Sequence, residues 1–164
     1  MVVVVMGVAG SGKSTVGPLI AKGLGGDFAE GDQFHPAANI AKMTSGQPLN
    51  DDDRMPWLAA MAAAIQDWSR GSRPTVLACS ALKQLYRELL ARGTPDLRFV
   101  YLKGTPELIG GRMATRSGHF MPRSLLDSQF QTLEEPGDAI VLDATRSPAA
   151  MAEAALAQLQ GRPR

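Results

Sequence analysis

One cysteine in 164 residues, Cys79, rules out an intramolecular disulfide and any fold held together by cross-links. It lies in an apolar run and is read as a small buried core residue rather than a reactive thiol. Excess charge is missing too. Lys plus Arg number 17 against 16 for Asp plus Glu, a net charge of +1, and no basic cluster is interleaved with aromatics. That balance excludes the usual footprint of a nucleic-acid binder. Long hydrophobic runs are also lacking. The start, MVVVVMGVAG, stays apolar for only about six residues and has no basic residue ahead of it, too short for a signal-peptide core or a membrane span. It reads as a buried strand, so the expected setting is the cytoplasm, with no membrane partner. What is present is ordinary for a globular protein: 45% apolar and 20% charged residues, in a length that suits one domain with a real core.

Short β-branched runs alternate with helical stretches along the chain. Val2 to Met6 is uniformly apolar and bounded by Gly7, as a strand covered on both faces would be. Val16, Leu19, Ile20 and Leu24 recur at helical spacing, and a short segment from Asp27 to Glu30 leads into Gly31 and Asp32. Trp57, Met61, Ile65 and Trp68 share one helical face. Further strands are predicted at Thr75 to Cys79, Arg98 to Lys103 and Ala139 to Asp143, with a helix around Leu82 to Arg92 and a terminal one opened by Pro148. Strands alternating with helices of this length predict βαβ units, a parallel sheet of about five strands and helices on both faces. The stretch from Gly104 to Gly137 has no strand and is rich in Arg, Gly and polar residues, which predicts helices around a mobile excursion.

One motif carries chemistry on its own. Gly7-Val8-Ala9-Gly10-Ser11-Gly12-Lys13-Ser14 fits G-x-x-x-x-G-K-[ST] at every fixed position and is followed by Thr15. Glycines let backbone N–H groups turn inward around phosphate oxygens, and the helix that follows points its positive end at the same oxygens. Lys13 reaches the β- and γ-phosphates, and the Ser14 hydroxyl is offered to Mg²⁺. The motif leaves a predicted strand and opens a predicted amphipathic helix, the context it requires. Pro18 sits early in that helix, where a kink or an irregular first turn is expected.

No Asp-x-x-Gly switch and no Asn-Lys-x-Asp guanine reader occurs, and TVLACSALK ends its strand in Cys-Ser rather than an acid. These absences favour a small kinase. EGDQFHPAANIAKMTSGQPLNDDDRMPWL (30–58), CSALKQLYRELL (79–90), YLKG (101–104), GHF (118–120) and QFQTLEEP (129–136) resemble the bacterial gluconokinases, in the family's order and over essentially the whole chain. That family belongs to the shikimate kinase-like and nucleoside monophosphate kinase-like P-loop group. The resemblance implies a three-layer α/β/α P-loop kinase fold in one domain, with a core at about 1–104 and 137–164 and a helical lid at about 105–136. It also implies phosphorylation of D-gluconate at its 6-hydroxyl with ATP and Mg²⁺, and a homodimer.

Residue roles follow from the motifs and the resemblance together. Asp32, just past the second predicted strand, lies at the sheet's C-terminal edge and is expected to accept the proton of the attacking hydroxyl or to orient it, as the matching aspartate does in the resembling kinases. Glu30 is a candidate for holding Mg²⁺ through water, since shikimate kinases carry an aspartate there. His35 reads either as structural or as a contact to acceptor hydroxyls. Lys83 stands where shikimate kinases have a triple glycine, which favours gluconate over shikimate; it either pairs with substrate or is a solvated helix lysine. Asn50 and Asp51 to Asp53 suit a helix N-terminus, with Pro56 fitting the first turn if the regular helix begins near it. Arg54 is assigned to the acceptor's carboxylate, which a rigid fork of donors binds bidentately, and the aspartates are candidates for holding it. Arg112 and Arg116, four apart ahead of SGHFMPR, are assigned to the adenine or phosphate side and to phosphate charge respectively. His119 and Gln129 are weaker substrate candidates. The loop after Asp143 is an adenine neighbour by fold analogy only. Two alternatives stay open: a kinase for shikimate or another small acid or polyol, and a non-catalytic nucleotide-binding regulator.

Overall fold

The structure, a computed structural model, describes residues 1–115 and 123–161. Arg116 and His119 therefore lie outside the described residues.

Five strands form one sheet: β1 (Val2–Met6), β2 (Asp27–Glu30), β3 (Thr75–Ala78), β4 (Arg98–Lys103) and β5 (Ile140–Asp143). Their order is β2-β3-β1-β4-β5 and every pairing is parallel. Parallel neighbours need crossovers, and the helices supply them: α1 (Lys13–Leu24), α2 (Ala37–Thr44), α3 (Asp51–Arg70), α4 (Gln84–Ala91), α5 (Pro106–Thr115), α6 (Arg123–Thr132) and α7 (Pro148–Gly161). The valine run of β1 is buried throughout because its two faces feed different cores. Val3 and Val5 pack with Ile20 of α1 and Met151 and Leu159 of α7, while Val2, Val4 and Met6 pack with Met61 and Ile65 of α3 and Leu90 of α4. Each such buried side chain stabilises the fold by about 1.5–3 kcal/mol, so the strand that launches the phosphate loop is among the most firmly held. Among the described residues no helix is long and apolar enough to cross a membrane.

β3 and β5 are each one residue shorter at one end than expected, and α4 is trimmed at both ends. Two prolines lie inside helices. α1 runs as one α-helix from Lys13 to Leu24 with Pro18 inside it, so the first turn is regular. α3 begins at Asp51, where Asn50 and the aspartates predicted a helix N-terminus, and Pro56 lies within the helix rather than in its first turn. The reason is a reciprocal cap. The Asn50 side chain accepts from the Asp53 N–H at 2.8 Å, and the Asp53 carboxylate accepts from the Asn50 N–H at 3.0 Å. That box satisfies two exposed donors and sets the helix start ahead of the proline.

Chain order 1-2-3 runs to one side of β1 and 4-5 to the other, which opens a crevice past the carboxyl ends of the strands. Gly7, Asp32 and Ser80 follow the carboxyl ends of β1, β2 and β3 there.

Candidate active site

The phosphate loop leaves β1 through three positive-φ glycines, Gly7 (φ 150), Gly10 (φ 79) and Gly12 (φ 107). A side chain would be strained at each, and at Gly10 a Cβ would also come within 2.6 Å of Met113 on α5. No side chain caps α1; Thr15 and Val16 donate their N–H groups to Gly12 O, which leaves those of Lys13 and Ser14 for an anion. Lys13 bridges the loop's own carbonyls, donating to Gly7 O and Val8 O at 2.9 Å each. Burial pushes its ammonium below the ordinary lysine value, and the carboxylates of Asp32 and Glu30 oppose that shift. All three charges therefore share one neighbourhood. Inside the loop, Ser11 is fully buried and its hydroxyl has no partner among the described residues.

Two cavities flank the loop. One, of about 440 Å³, is lined by Gly10, Ser11, Gly12 and Thr15 together with Arg112 of α5 and Thr145 to Pro148 after β5. Its wall joins the phosphate loop to Arg112 and to the segment after β5. The second, of about 380 Å³, is bordered by Asp32, His35, Arg54, Trp57, Ser80 and Gln129. Both lie within the ordinary size of small-molecule sites.

Acceptor-side residues are fixed by a web of polar contacts. Trp57 donates its indole N–H to Gly31 O at 2.8 Å and stacks on the His35 ring, with centroids 4.3 Å apart. Asn39, almost fully buried, donates to Asp53 O at 2.8 Å and contacts His35 Nδ1 at 3.2 Å. Burial lowers the His35 pKa, Asp32 works against that, and Arg54 adds to it. Arg54 donates to the Tyr86 hydroxyl at 3.1 Å and lies 3.6 Å from Asp51. Tyr86 in turn donates to Asp51, whose carboxylate also takes the Lys83 ammonium at 3.1 Å. The Tyr86 bond, then Lys83 and Arg54, hold the Asp51 carboxyl below its usual range.

The three aspartates thus divide their work. Asp51 gathers Tyr86, Lys83 and Arg54; Asp53 caps the helix and pairs with Lys42 at 2.7 Å; Asp52 is exposed. Asp32, His35, Arg54 and Gln129 are brought to one cavity wall. Lys83 is not among the residues bordering that cavity and spends its charge on Asp51 instead. Gln129 borders the same cavity while its side-chain oxygen accepts from the Ala9 N–H of the phosphate loop at 2.7 Å. Ser14 is exposed at the mouth of α1, free to face a ligand. Tyr86, Asn39 and Ser80 were not anticipated; the i,i+4 spacing of His35 and Asn39 and the i,i+3 spacing of Lys83 and Tyr86 are the traces they leave in the sequence.

Residues 9–159 match the shikimate kinase family. A thermoresistant gluconokinase of Escherichia coli (strain K12) is 49% identical over 144 residues, spanning 85% of this chain and 82% of the relative. The chain belongs to the gluconokinases of the shikimate kinase family. In three dimensions a gluconokinase from Sinorhizobium meliloti 1021 superposes with a TM-score of 0.88 at 46% identity, covering 96% of this chain and 90% of the other. A shikimate kinase from Acinetobacter baumannii, in complex with shikimate, reaches 0.60 at 15% identity, with 97% and 92% covered, a likeness of fold alone.

Proposed function

We propose that the protein transfers the γ-phosphoryl group of ATP to the 6-hydroxyl of D-gluconate, giving ADP and 6-phospho-D-gluconate for sugar-acid catabolism. The observation that carries this reading is one cavity wall that presents a guanidinium, an imidazole and a carboxylate beside the phosphate loop. Arg54 binds the carboxylate of the acid, and His35 and Gln129 meet its hydroxyls. Asp32 orients the 6-hydroxyl and takes its proton as the oxygen bonds to the γ-phosphorus. The bond from phosphorus to the β,γ-bridging oxygen breaks, and ADP leaves with the electron pair. Lys13 turns from the carbonyls of Gly7 and Val8 to the phosphates, supplying charge where it develops.

Among the described residues no cluster of three His, Cys, Asp or Glu side chains forms a metal cage. That suits Mg²⁺, which keeps several waters and leans on substrate phosphates. Ser14, with Glu30 through water, would hold it, and its chemistry would be neutralisation of β- and γ-oxygen charge. Residues 105–136 form the lid in this reading. Its closure, with Arg112 and Arg116, excludes water that could otherwise take the phosphoryl group. Cytoplasmic location and homodimeric assembly belong to the same proposal. Coupled ADP release should depend on gluconate and not on shikimate; turnover with shikimate alone, or nucleotide binding without gluconate-dependent turnover, refutes it.

A further inference from the structure

The contacts of Asn39 determine where the proton sits on His35. An asparagine amide can be turned either way, and which atom is nitrogen is settled by its neighbours. Here one amide atom faces the backbone carbonyl of Asp53 at 2.8 Å, and a carbonyl oxygen only accepts. That atom must be the NH₂ group. The same nitrogen lies 3.2 Å from His35 Nδ1, so its second hydrogen points at a ring nitrogen that has to supply a lone pair. A proton on Nδ1 would set two donors against each other. Asn39 is 3% exposed, so water does not compete for either bond.

The rest of the ring is equally constrained. Trp57, tied to Gly31 O, covers one face of His35 at an interplanar angle of 13°. The charged groups that act on the imidazole are Asp32 from the turn after β2 and Arg54 from α3. Nε2 has no hydrogen-bond partner among the described residues, and His35 borders the cavity.

We propose that Asn39 is a positioning residue that locks His35 as its neutral Nε2–H tautomer, so that the acceptor cavity offers a hydrogen-bond donor at this point and selects a hydroxyl or carboxylate oxygen with a free lone pair. The lock rests on the reading of this cavity as the acceptor site only for its consequence in specificity; the tautomer itself does not depend on which acid binds. Deoxygenation of the substrate carbon that faces His35 would leave Nε2–H without a partner, and sites built to hydrogen-bond a hydroxyl reject analogues that lack it.

Long-range ¹H–¹⁵N NMR on the full chain without ligands tests this directly. The chain has two histidines, His35 and His119, and the spectrum of H35Q assigns the signals. At neutral pH His35 should show an unprotonated Nδ1 and a protonated Nε2. Asn39→Leu should release the ring to a mixture of tautomers, and Asn39→Asp should move the proton to Nδ1. In turnover, His35→Gln places an amide near Nε2 and should keep the gluconate KM within about threefold, whereas His35→Asn, whose amide mimics Nδ1, should raise it about tenfold. Asn39→Asp should raise the gluconate KM more than it lowers kcat. A proton on Nδ1 in the wild type, a tautomer unmoved by both Asn39 variants, or H35N binding gluconate as well as H35Q overturns the proposal. A protein inactive on gluconate that still shows the Nε2–H tautomer and its shift in N39D refutes the proposed function and supports the lock. An active protein with mixed tautomers refutes the lock alone.

Discussion

Replacing Tyr86 by Phe removes one oxygen and leaves the ring. Tyr86 is 3% exposed in the core between α3 and α4, and that packing survives the change. The hydroxyl accepts from Arg54 at 3.1 Å and donates to Asp51, so it fixes the guanidinium that the proposed function assigns to the acid. A hydrogen bond to a charged group contributes about 1.5–3 kcal/mol. Two facts reduce that here. The Arg54 side chain is 27% exposed, and Asp51 already stands 3.6 Å away to receive it. The Asp51 side is left out altogether, because that carboxylate is about half in water and resolvates. About 1.4 kcal/mol remains, equivalent to about a tenfold rise in the gluconate KM. Coupled ADP release at saturating MgATP measures it, with the MgATP KM as internal control, and a thermal midpoint within a few degrees of the wild type verifies the fold. An unchanged gluconate KM, or equal rises for both substrates, would refute the idea that Tyr86 aims Arg54 at the acid.

Other outcomes are equally definite. Lys13→Ala should lower kcat by about 10²–10³-fold, since a donor to developing phosphate charge is lost; near-normal turnover would remove Lys13 from the chemistry. Asp53 has its pKa lowered in the fold, first by Lys42 and then by the Asn50 N–H, from an ordinary 3.8. The unfolded chain therefore binds the proton more readily, and this contribution is present above 3.8 and lost as pH falls through the folded value. Urea unfolding at neutral pH and again at about pH 3 should show a larger loss of stability for the wild type than for Asp53→Asn; equal losses would contradict the assignment. Burial pushes the Cys79 thiol up to about 12, so thiol reagents at mildly alkaline pH should leave it untouched until the protein is unfolded, and fast labelling of the native protein would contradict its burial. Gly31→Ala would bring a Cβ within 2.5 Å of the Ala78 carbonyl, and should cost about 1–3 kcal/mol in urea unfolding; an unchanged midpoint would mean that β2 and β3 can separate there.

Patterns local to the chain were readable in advance, and the sheet shows why. Val2 to Met6 could only be a strand with cores on both sides, and the glycines after it could only turn the backbone inward. Asp32, His35 and Arg54 were legible because two short blocks carry them, and the fold brings those blocks to one wall. The start of α3 was legible from Asn50 and the aspartates, and the Asn50–Asp53 box sets it at Asp51, with Pro56 past the first turn. The purpose of the triple aspartate was half hidden. Asp51 meets Lys83 and Tyr86 across 32 and 35 residues of chain, and no spacing rule predicts a contact that only the α3–α4 packing creates. For the same reason the sequence left Lys83 open between a substrate contact and a solvated lysine and did not show its pairing with Asp51.

The amide oxygen of Gln129 ties two compartments together by a single bond to Ala9. In the proposed function, one side chain fastens the strap around the nucleotide's tail and also forms part of the acid's chamber. Any occupant that displaces Ala9 therefore changes the surface met by the other occupant, and thermodynamic linkage makes the effect equal in the opposite direction. Synergy between the two substrates, or antagonism, would then be governed by an amide that takes no part in the chemistry.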